Sequence, residues 1–354
     1  MRVKLGDVCE RGTSNLKLSD VSEKNGEFSV FGASGYIGSV DFYQQGYPYV
    51  AVVKDGAGIG RAMLCPGKTS VIGTMQYLLP KDNILPKYLF YVVKYMNLEK
   101  YFTGATIPHI YFKDYKNEEF NFDFWERQVE IVSVLSKCEK VIDLCKQELQ
   151  LLDKLIKARF VELFGDPVSN SYGLPEATLP DLGEFGRGVS KHRPRNDIKL
   201  LGGKYPLIQT GDVANAGLYI TSYSSTYSEL GLKQSKMWDK GTLCITIAAN
   251  IAKTAILEFD ACFPDSVVGF IANERTNNIF VHYWFSFFQA ILESQAPESA
   301  QKNINLKILS ELKVIVPEKR KQDQFASFVK LTDKSGFVER FPEFSLFYRL
   351  FSPL

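Results

Sequence analysis

Asp181 follows Pro180, and further along Asp197, Ile198 and Lys199 stand together. Two carboxylates and a lysine in the order PD…(D/E)xK can hold Mg²⁺ and assist an attacking water, which is the chemistry of a metal-dependent nuclease. The pattern is permissive, because Pro, Asp and Lys are common, and Asp181 is matched elsewhere in the chain by Asp7, with no comparable DxK after it. "DGAGIG" at Asp55–Gly60 could cradle a phosphate, but neither a helical pattern nor Gly-Lys-Ser/Thr follows, so it reads as a β-turn. The six cysteines (Cys9, Cys65, Cys138, Cys145, Cys244, Cys262) are scattered, no CxxC or Cys/His cluster occurs, and there are only three histidines. Structural zinc is therefore not expected. The Asn/Asp-Pro-Pro-aromatic tetrapeptide of a methyltransferase is absent. The expectation is a chain with no catalytic residues and no metal ligands of its own.

Recognition of a polyanion is the other chemistry the side chains allow. Net charge is only +2, so any nucleic-acid surface must be a local patch. The best candidate is "RGVSKHRPRNDIKLLGGK", carrying Arg187, Lys191, Arg193, Arg195, Lys199 and Lys204. Loop-borne cations beside Gly and Pro suit phosphate contact, and arginine can also pair with guanine. Gln209 and Thr210 in "IQTGD", and Lys233, Gln234 and Lys236 in "LKQSK", are secondary candidates; Lys54 and Arg61 flank the turn "KDGAGIGR".

The elements that must position these residues come in two sets. A chain of 354 residues is too long for one ordinary core, and its aromatic content suggests strand-rich domains. "SVIG" at Ser70–Gly73 and "SVVG" at Ser266–Gly269 lie 196 positions apart. Around them "AGIGRAM" (57–63) faces "ANIAKTA" (249–255), which sets Lys253 against Arg61; "YPYVAVV" (47–53) faces "KGTLCITI" (240–247); and "KYLFYVV" (87–93) faces "HYWFSFF" (282–288). "IYFKDYKNEEFNF" (110–122) faces "INLKILSELKVIV" (304–316), and "LGDVCERGTS" (5–14) faces "LPDLGEFGRGVS" (179–190). Preserved order with a slowly drifting offset is the mark of a duplicated domain.

Between the copies Ile131, Leu135, Cys138, Ile142, Cys145, Leu149, Leu152 and Ile156 step by alternate four and three residues, an a/d heptad seam. No Gly or Pro interrupts residues 126–164, and Gly165 with Pro167 ends the run, giving a helix about 58 Å long at 1.5 Å per residue. Cys138 and Cys145 read as small apolar residues of the seam. The repeat places a second helix after the second copy, beginning near Pro317, with Gln322 matching Gln128, Phe325 matching Ile131 and Val329 matching Leu135. The expected organisation is a first domain over 1–124, a long helix over 125–165, a second domain over 166–316, a shortened helix over 317–334 and an aromatic tail over 335–354. No signal peptide and no run of 18 apolar residues is present, so a cytoplasmic location without a membrane contact is expected.

This layout resembles the specificity subunits of type I restriction–modification systems. The resemblance is carried by the two domain openings quoted above, by "KYPLIQTGDVANAGLYIT" (204–221), by "DKGTLCITIAANIAKTAI" (239–256), and by "QKNINLKILSELKVIVP" (301–317), in that order. It implies an α+β fold of two similar, mostly β target recognition domains, each followed by a long helix, the helices pairing as an antiparallel coiled coil. It implies a non-catalytic reader of an asymmetric bipartite site on double-stranded DNA. The implied partners are modification (methyltransferase) subunits, which use S-adenosylmethionine, and a restriction translocase–nuclease subunit that uses ATP and Mg²⁺. The second helix departs from the pattern by stopping early, with Gly336 after Ser335. The competing readings are the Mg-dependent nuclease and a coiled-coil scaffold that binds proteins alone.

Overall fold

The computed structural model describes residues 1–22, 26–104, 108–248, 251–295 and 304–332; the aromatic tail expected at 335–354 lies outside them. The chain divides into two units, Met1–Asp143 and Leu144–Leu354.

In the first unit an antiparallel sheet runs in the order Cys9–Thr13, Met75–Pro80, Tyr49–Val53, Ala62–Cys65. Tyr49–Val53 is apolar throughout and buried at every residue, as a strand covered on both faces must be. A second sheet, Gly35–Val40, Phe28–Gly32 and Ser70–Val71, includes one parallel pairing. Arg2–Lys4 pairs with Glu119–Asn121 and so ties the two ends of the domain together. The helix Pro86–Met96 sets Tyr88, Leu89 and Val93 into the same core as Val50, Val52 and Leu78.

The second unit repeats this plan. Its main sheet runs Gly183–Arg187, Val267–Ala272, Leu243–Thr246, Thr254–Leu257, Tyr219–Ile220. Its second sheet joins Ser225–Tyr227, Leu201–Leu207, Ala261–Cys262 and Met237–Trp238, again with one parallel pairing. Glu176–Ala177 pairs with Val314–Ile315, and the helix Asn278–Gln295 covers the core.

Backbone hydrogen bonds put the two units in register. Val53 N–H donates to Arg61 O (2.9 Å) and Gly60 N–H to Val53 O (2.8 Å); Thr246 N–H donates to Lys253 O (2.9 Å) and Ala252 N–H to Thr246 O (2.9 Å). Ile110 N–H donates to Lys54 O and Ile304 N–H to Ile247 O, both at 2.9 Å. Asp7 accepts Lys4 N–H (3.1 Å) at the first short helix, and Asp181 accepts Thr178 N–H (3.0 Å) at its counterpart.

Two of the sequence matches shift under this register. Val50 pairs with Leu78 and Leu243 with Phe270, so Ser266–Gly269 corresponds to Thr74–Tyr77, and Ser70–Gly73 corresponds to Cys262–Asp265. The "SVIG"/"SVVG" coincidence is thus four residues out. An even slip in a strand preserves the inward–outward alternation, so the pattern alone does not reveal it. The helices are three residues out: buried Tyr88, Leu89 and Tyr91 correspond to buried Phe280, Val281 and Tyr283. Three residues are nearly one turn, and the apolar face survives the shift.

One uninterrupted helix, Trp125–Phe164, follows the first domain. Gly165 ends it at φ +76°, its N–H donating to Val161 O (2.8 Å). Near the head of the helix Gln128 is fully buried. Its Oε1 accepts Leu85 N–H (2.9 Å), and its Nε2 donates to Asn83 O (3.0 Å) and Asp123 O (2.9 Å). Gln322 does the same work in the helix Lys319–Leu331: Oε1 accepts the Thr276 hydroxyl (3.0 Å), and Nε2 donates to Arg275 O (3.0 Å) and Pro317 O (2.8 Å).

The expected seam is not uniform. Ile131 packs on the core of the first unit, and Ile156 lies within the core of the second. Leu135, Cys138, Ile142, Cys145, Leu149 and Leu152 are half-buried. Phe325 and Val329 are core residues of the second unit, and the rings that meet Phe325 are Phe160 (5.3 Å) and Phe164 (5.7 Å) of the long helix and Tyr283 (5.4 Å). Arg159 lies against Phe328, so the two helices run in opposite directions there. Within the described residues the second helix ends at Leu331; residues 333 and 334 of the expected 317–334 lie outside them.

Gln128→Ala or Gln322→Ala leaves buried polar partners unpaired and lowers stability by about 2–4 kcal/mol; Gln→Glu fails as rescue, because a carboxylate cannot donate to the two carbonyls. Urea unfolding measures this, and a loss below about 1 kcal/mol would contradict the assignment. Burial pushes the thiol of Cys9 up to about 12 and that of Cys65 to about 11, and raises Cys244 and Cys262 as well. Iodoacetamide at pH 8 therefore labels Cys138 and Cys145 in the native chain and spares the other four, as mass spectrometry of the peptides will show.

Candidate nucleic-acid interface

The basic stretch after Arg187 is a loop that hangs from the end of the strand Gly183–Arg187 and returns through Leu201–Leu207. Arg187, Lys191, Arg193, Arg195, Lys199 and Lys204 are all exposed. The structure joins this loop to the second candidate stretch. Lys191 N–H donates to Gln234 O (3.4 Å), His192 N–H to Gln234 Oε1 (3.0 Å), and Ser235 Oγ to Val189 O (2.8 Å). Lys233 and Lys236 thereby flank a segment bonded to the loop. Lys236 is held between Glu184 (2.7 Å) and the face of Trp238 (3.6 Å from its centroid), so its charge is directed by the protein.

Asp265, which the sequence pattern did not single out, receives the guanidinium groups of both Arg193 and Arg195. Lys204 stands apart, beside Glu229 (3.4 Å) and over Tyr205 (5.1 Å). Gln209 and Thr210 are elsewhere again, at the head of the short helix Thr210–Asn215, where Gln209 Nε2 donates to Ser225 Oγ (3.2 Å). Lys253 opens into a cleft of about 900 Å³ that is also lined by Lys154, Lys157, Asp212, Thr254 and His282.

In the first unit Lys54 and Arg61 flank the turn as the sequence places them. Gly56, Gly58 and Gly60 all take positive φ, and the strand Ala62–Cys65 follows, so "DGAGIG" is a turn between strands. Lys54 lies 3.7 Å from Asp55, which also binds His109 Nδ1 (2.7 Å). Arg61 Nε donates to Gly58 O (3.3 Å). Asp55 and His109 escaped the sequence reading because their partnership joins residues far apart in the chain.

The groups named for a nuclease are occupied locally. Asp181 accepts the N–H and hydroxyl of Thr178, bonds that hold its carboxyl below the usual range. Asp197 accepts the backbone N–H of Lys199 (3.0 Å) and faces His192 (3.2 Å); the first of these bonds chiefly lowers its pKa. Among the described residues no group of His, Cys, Asp and Glu side chains could hold a metal ion. Nor is any described helix long and apolar enough to cross a membrane.

The long helix carries a second apolar column beside the seam. Val134, Val141, Leu144, Leu151 and Leu155 are 58, 44, 52, 63 and 49% exposed. They fall outside the a/d positions, which is why the heptad count passed over them.

The model of the type I restriction modification DNA specificity domain matches residues 1–154 and 176–337. A protein of Methanocaldococcus jannaschii, named for the specificity subunit of the type I restriction enzyme MjaX, is 22% identical over 292 residues, covering 78% of this chain and 68% of that one. The MjaIX specificity subunit of the same organism is 26% identical over 179 residues, 45% of this chain and 40% of its own length. The crystal structure of a type I restriction–modification S subunit from M. genitalium superposes with a TM-score of 0.63 at 17% identity, covering 100% of this chain and 96% of that one. A doubled frame built on the same hydrogen bonds, matched twice by the family model, makes this chain a member of the type I restriction–modification DNA specificity family.

Proposed function

We propose that this chain is the sequence-reading subunit of a type I restriction–modification assembly, with each unit reading one short half-site of double-stranded DNA. The observation that carries the reading is a single hydrogen-bonded frame present twice with different loops mounted on it. A common frame suits a common task, and unlike loops suit unlike half-sites, because sequence is read at base edges while phosphate contacts only position. The site read is then bipartite and asymmetric. The chain performs no chemistry of its own. Modification subunits dock on the exposed apolar column of the long helix and methylate adenine with S-adenosylmethionine, and a translocase–nuclease subunit brings ATP and Mg²⁺ chemistry.

Co-expression with the modification subunit in methylation-free cells, followed by sequencing for modified bases, tests this. A split motif with a constant spacer and methyladenine in its two parts is expected; DNA without any methylated motif would remove the reading. Leu151→Asp with Leu155→Asp, both on exposed positions, changes the stability of the free chain by less than about 1 kcal/mol yet abolishes methylation and co-purification of the modification subunit. Full methylation by that double variant would place the docking surface elsewhere.

A further inference from the structure

We infer that Arg193, Arg195 and Asp265 form the element with which the second unit reads a guanine, Arg195 at the base edge and Asp265 as the residue that positions it. This rests on the function proposed above and names one contact within it.

The register of the two units isolates the cluster. Val267 N–H donates to Pro264 O (3.0 Å) as Met75 N–H donates to Ile72 O (2.9 Å). Arg187 pairs with Val268 as Thr13 pairs with Gln76. Asp265 therefore stands where the first unit has Gly73. The first unit has no arginine in the segment after Thr13, residues 14–27. Asp265 stands on backbone that both units share, and Arg193 and Arg195 stand on a loop that differs between the units. That is where a half-site difference has to reside.

The cluster is also built rather than loose. Arg193 is used up in holding the loop: Nη1 donates to Ser190 O (2.6 Å) and His192 O (2.9 Å), and Nη2 to Asp265 Oδ2 (3.3 Å). His192 faces Asp197, so that carboxylate is engaged there and Asp265 is left to the arginines. Arg195 differs. Its Nη2 donates to Asp265 Oδ1, and the rest of its five-donor fork has no partner among the described residues. Its side chain is 44% exposed. A guanidinium held by one edge has little rotamer freedom left to lose, and it still offers paired donors to paired acceptors. In the major groove guanine alone presents two acceptors, O6 and N7, to such a fork. Arg187, Lys191 and Lys199, exposed on the same stretch of chain, add positive charge that suits phosphate contact.

The test is the methylation motif of the full chain with its modification subunit, compared across Arg195→Ala, Arg195→Lys, Asp265→Gly and Asp265→Glu. The unaltered chain gives a split motif with a guanine in one half. Arg195→Ala and Arg195→Lys each weaken the preference for that guanine by roughly 5- to 150-fold, with the other half unchanged. Asp265→Gly, which installs the residue of the first unit, relaxes the same position to a smaller degree, and Asp265→Glu largely restores it. If Arg195→Lys keeps every preference and Arg195→Ala lowers methylation equally at all sites, Arg195 is a phosphate contact and the inference is overturned while the function stands. An unaltered chain that yields no methylated motif overturns the function and this inference with it. Arg195→Lys keeps the charge at an exposed position, so loss of the fold does not account for its effect.

Discussion

A fully buried glutamine amide at the head of a helix holds each unit together. Only a primary amide can accept one hydrogen and donate two from a single side chain, and Gln128 and Gln322 use all three capacities on groups the domain would otherwise leave dry. Gln128 reaches from its helix to the chain just before the helix Pro86–Met96 and to Asp123, two residues ahead of its own helix; Gln322 reaches to the chain just before Asn278–Gln295 and to Pro317, two residues ahead of its own. The helix that leaves each domain is thereby bonded to the domain it follows. The exposed apolar column on the long helix is displayed from that anchorage.

Around this constraint the units keep their backbone bonds and exchange their side chains. Gly60 (φ +79°) and Ala252 (φ +57°) close equivalent hairpins. A Cβ at Gly60 would come within 2.5 Å of Glu99 N, so glycine is required there by contact as well as by φ. The main sheets solve one packing problem in two ways. In the first unit Tyr77 covers Gly12, where a Cβ would lie 2.9 Å from the tyrosine Cβ. In the second, the equivalent strands carry Gly186 and Gly269, and Trp238 from the other sheet fills the space, its ring 2.6 Å from where a Cβ on Gly269 would stand. Interiors are close-packed, so the bulk must be supplied, but which element supplies it is free to change.

Charged groups follow the same division. Asp7 and Asp181 belong to the frame, each closing the first turn of the short helix after its domain opening. Asp265, Arg193 and Arg195 belong to one unit only. Asp55 with His109 is the corresponding kind of feature in the other: Ile247 stands at the position of Lys54, the residue before Asp55, and carries no charge. The frame carboxylates serve local folding, Asp7 accepting Lys4 N–H and Asp181 accepting Thr178 N–H.

The sequence by itself determined the duplication, the long helix and its end at Gly165, the turn at Asp55–Gly60, and the family. These rest on periodicity, on residues that punctuate the chain, and on order, all of which are local properties. It also matched Gln322 to Gln128 and Lys253 to Arg61, which the hydrogen bonds reproduce. Register within strands and helices was legible only up to shifts that preserve the apolar face, hence the four-residue and three-residue slips. Tertiary structure alone decided that residues 189–192 and 234–235 are bonded to one another, that Lys204, Gln209 and Lys253 lie apart from them, that Phe160 and Phe164 meet Phe325, and that Asp265 holds two arginines. Each of those depends on which distant residues a folded sheet brings within a few ångströms, and neither composition nor spacing along the chain carries that information.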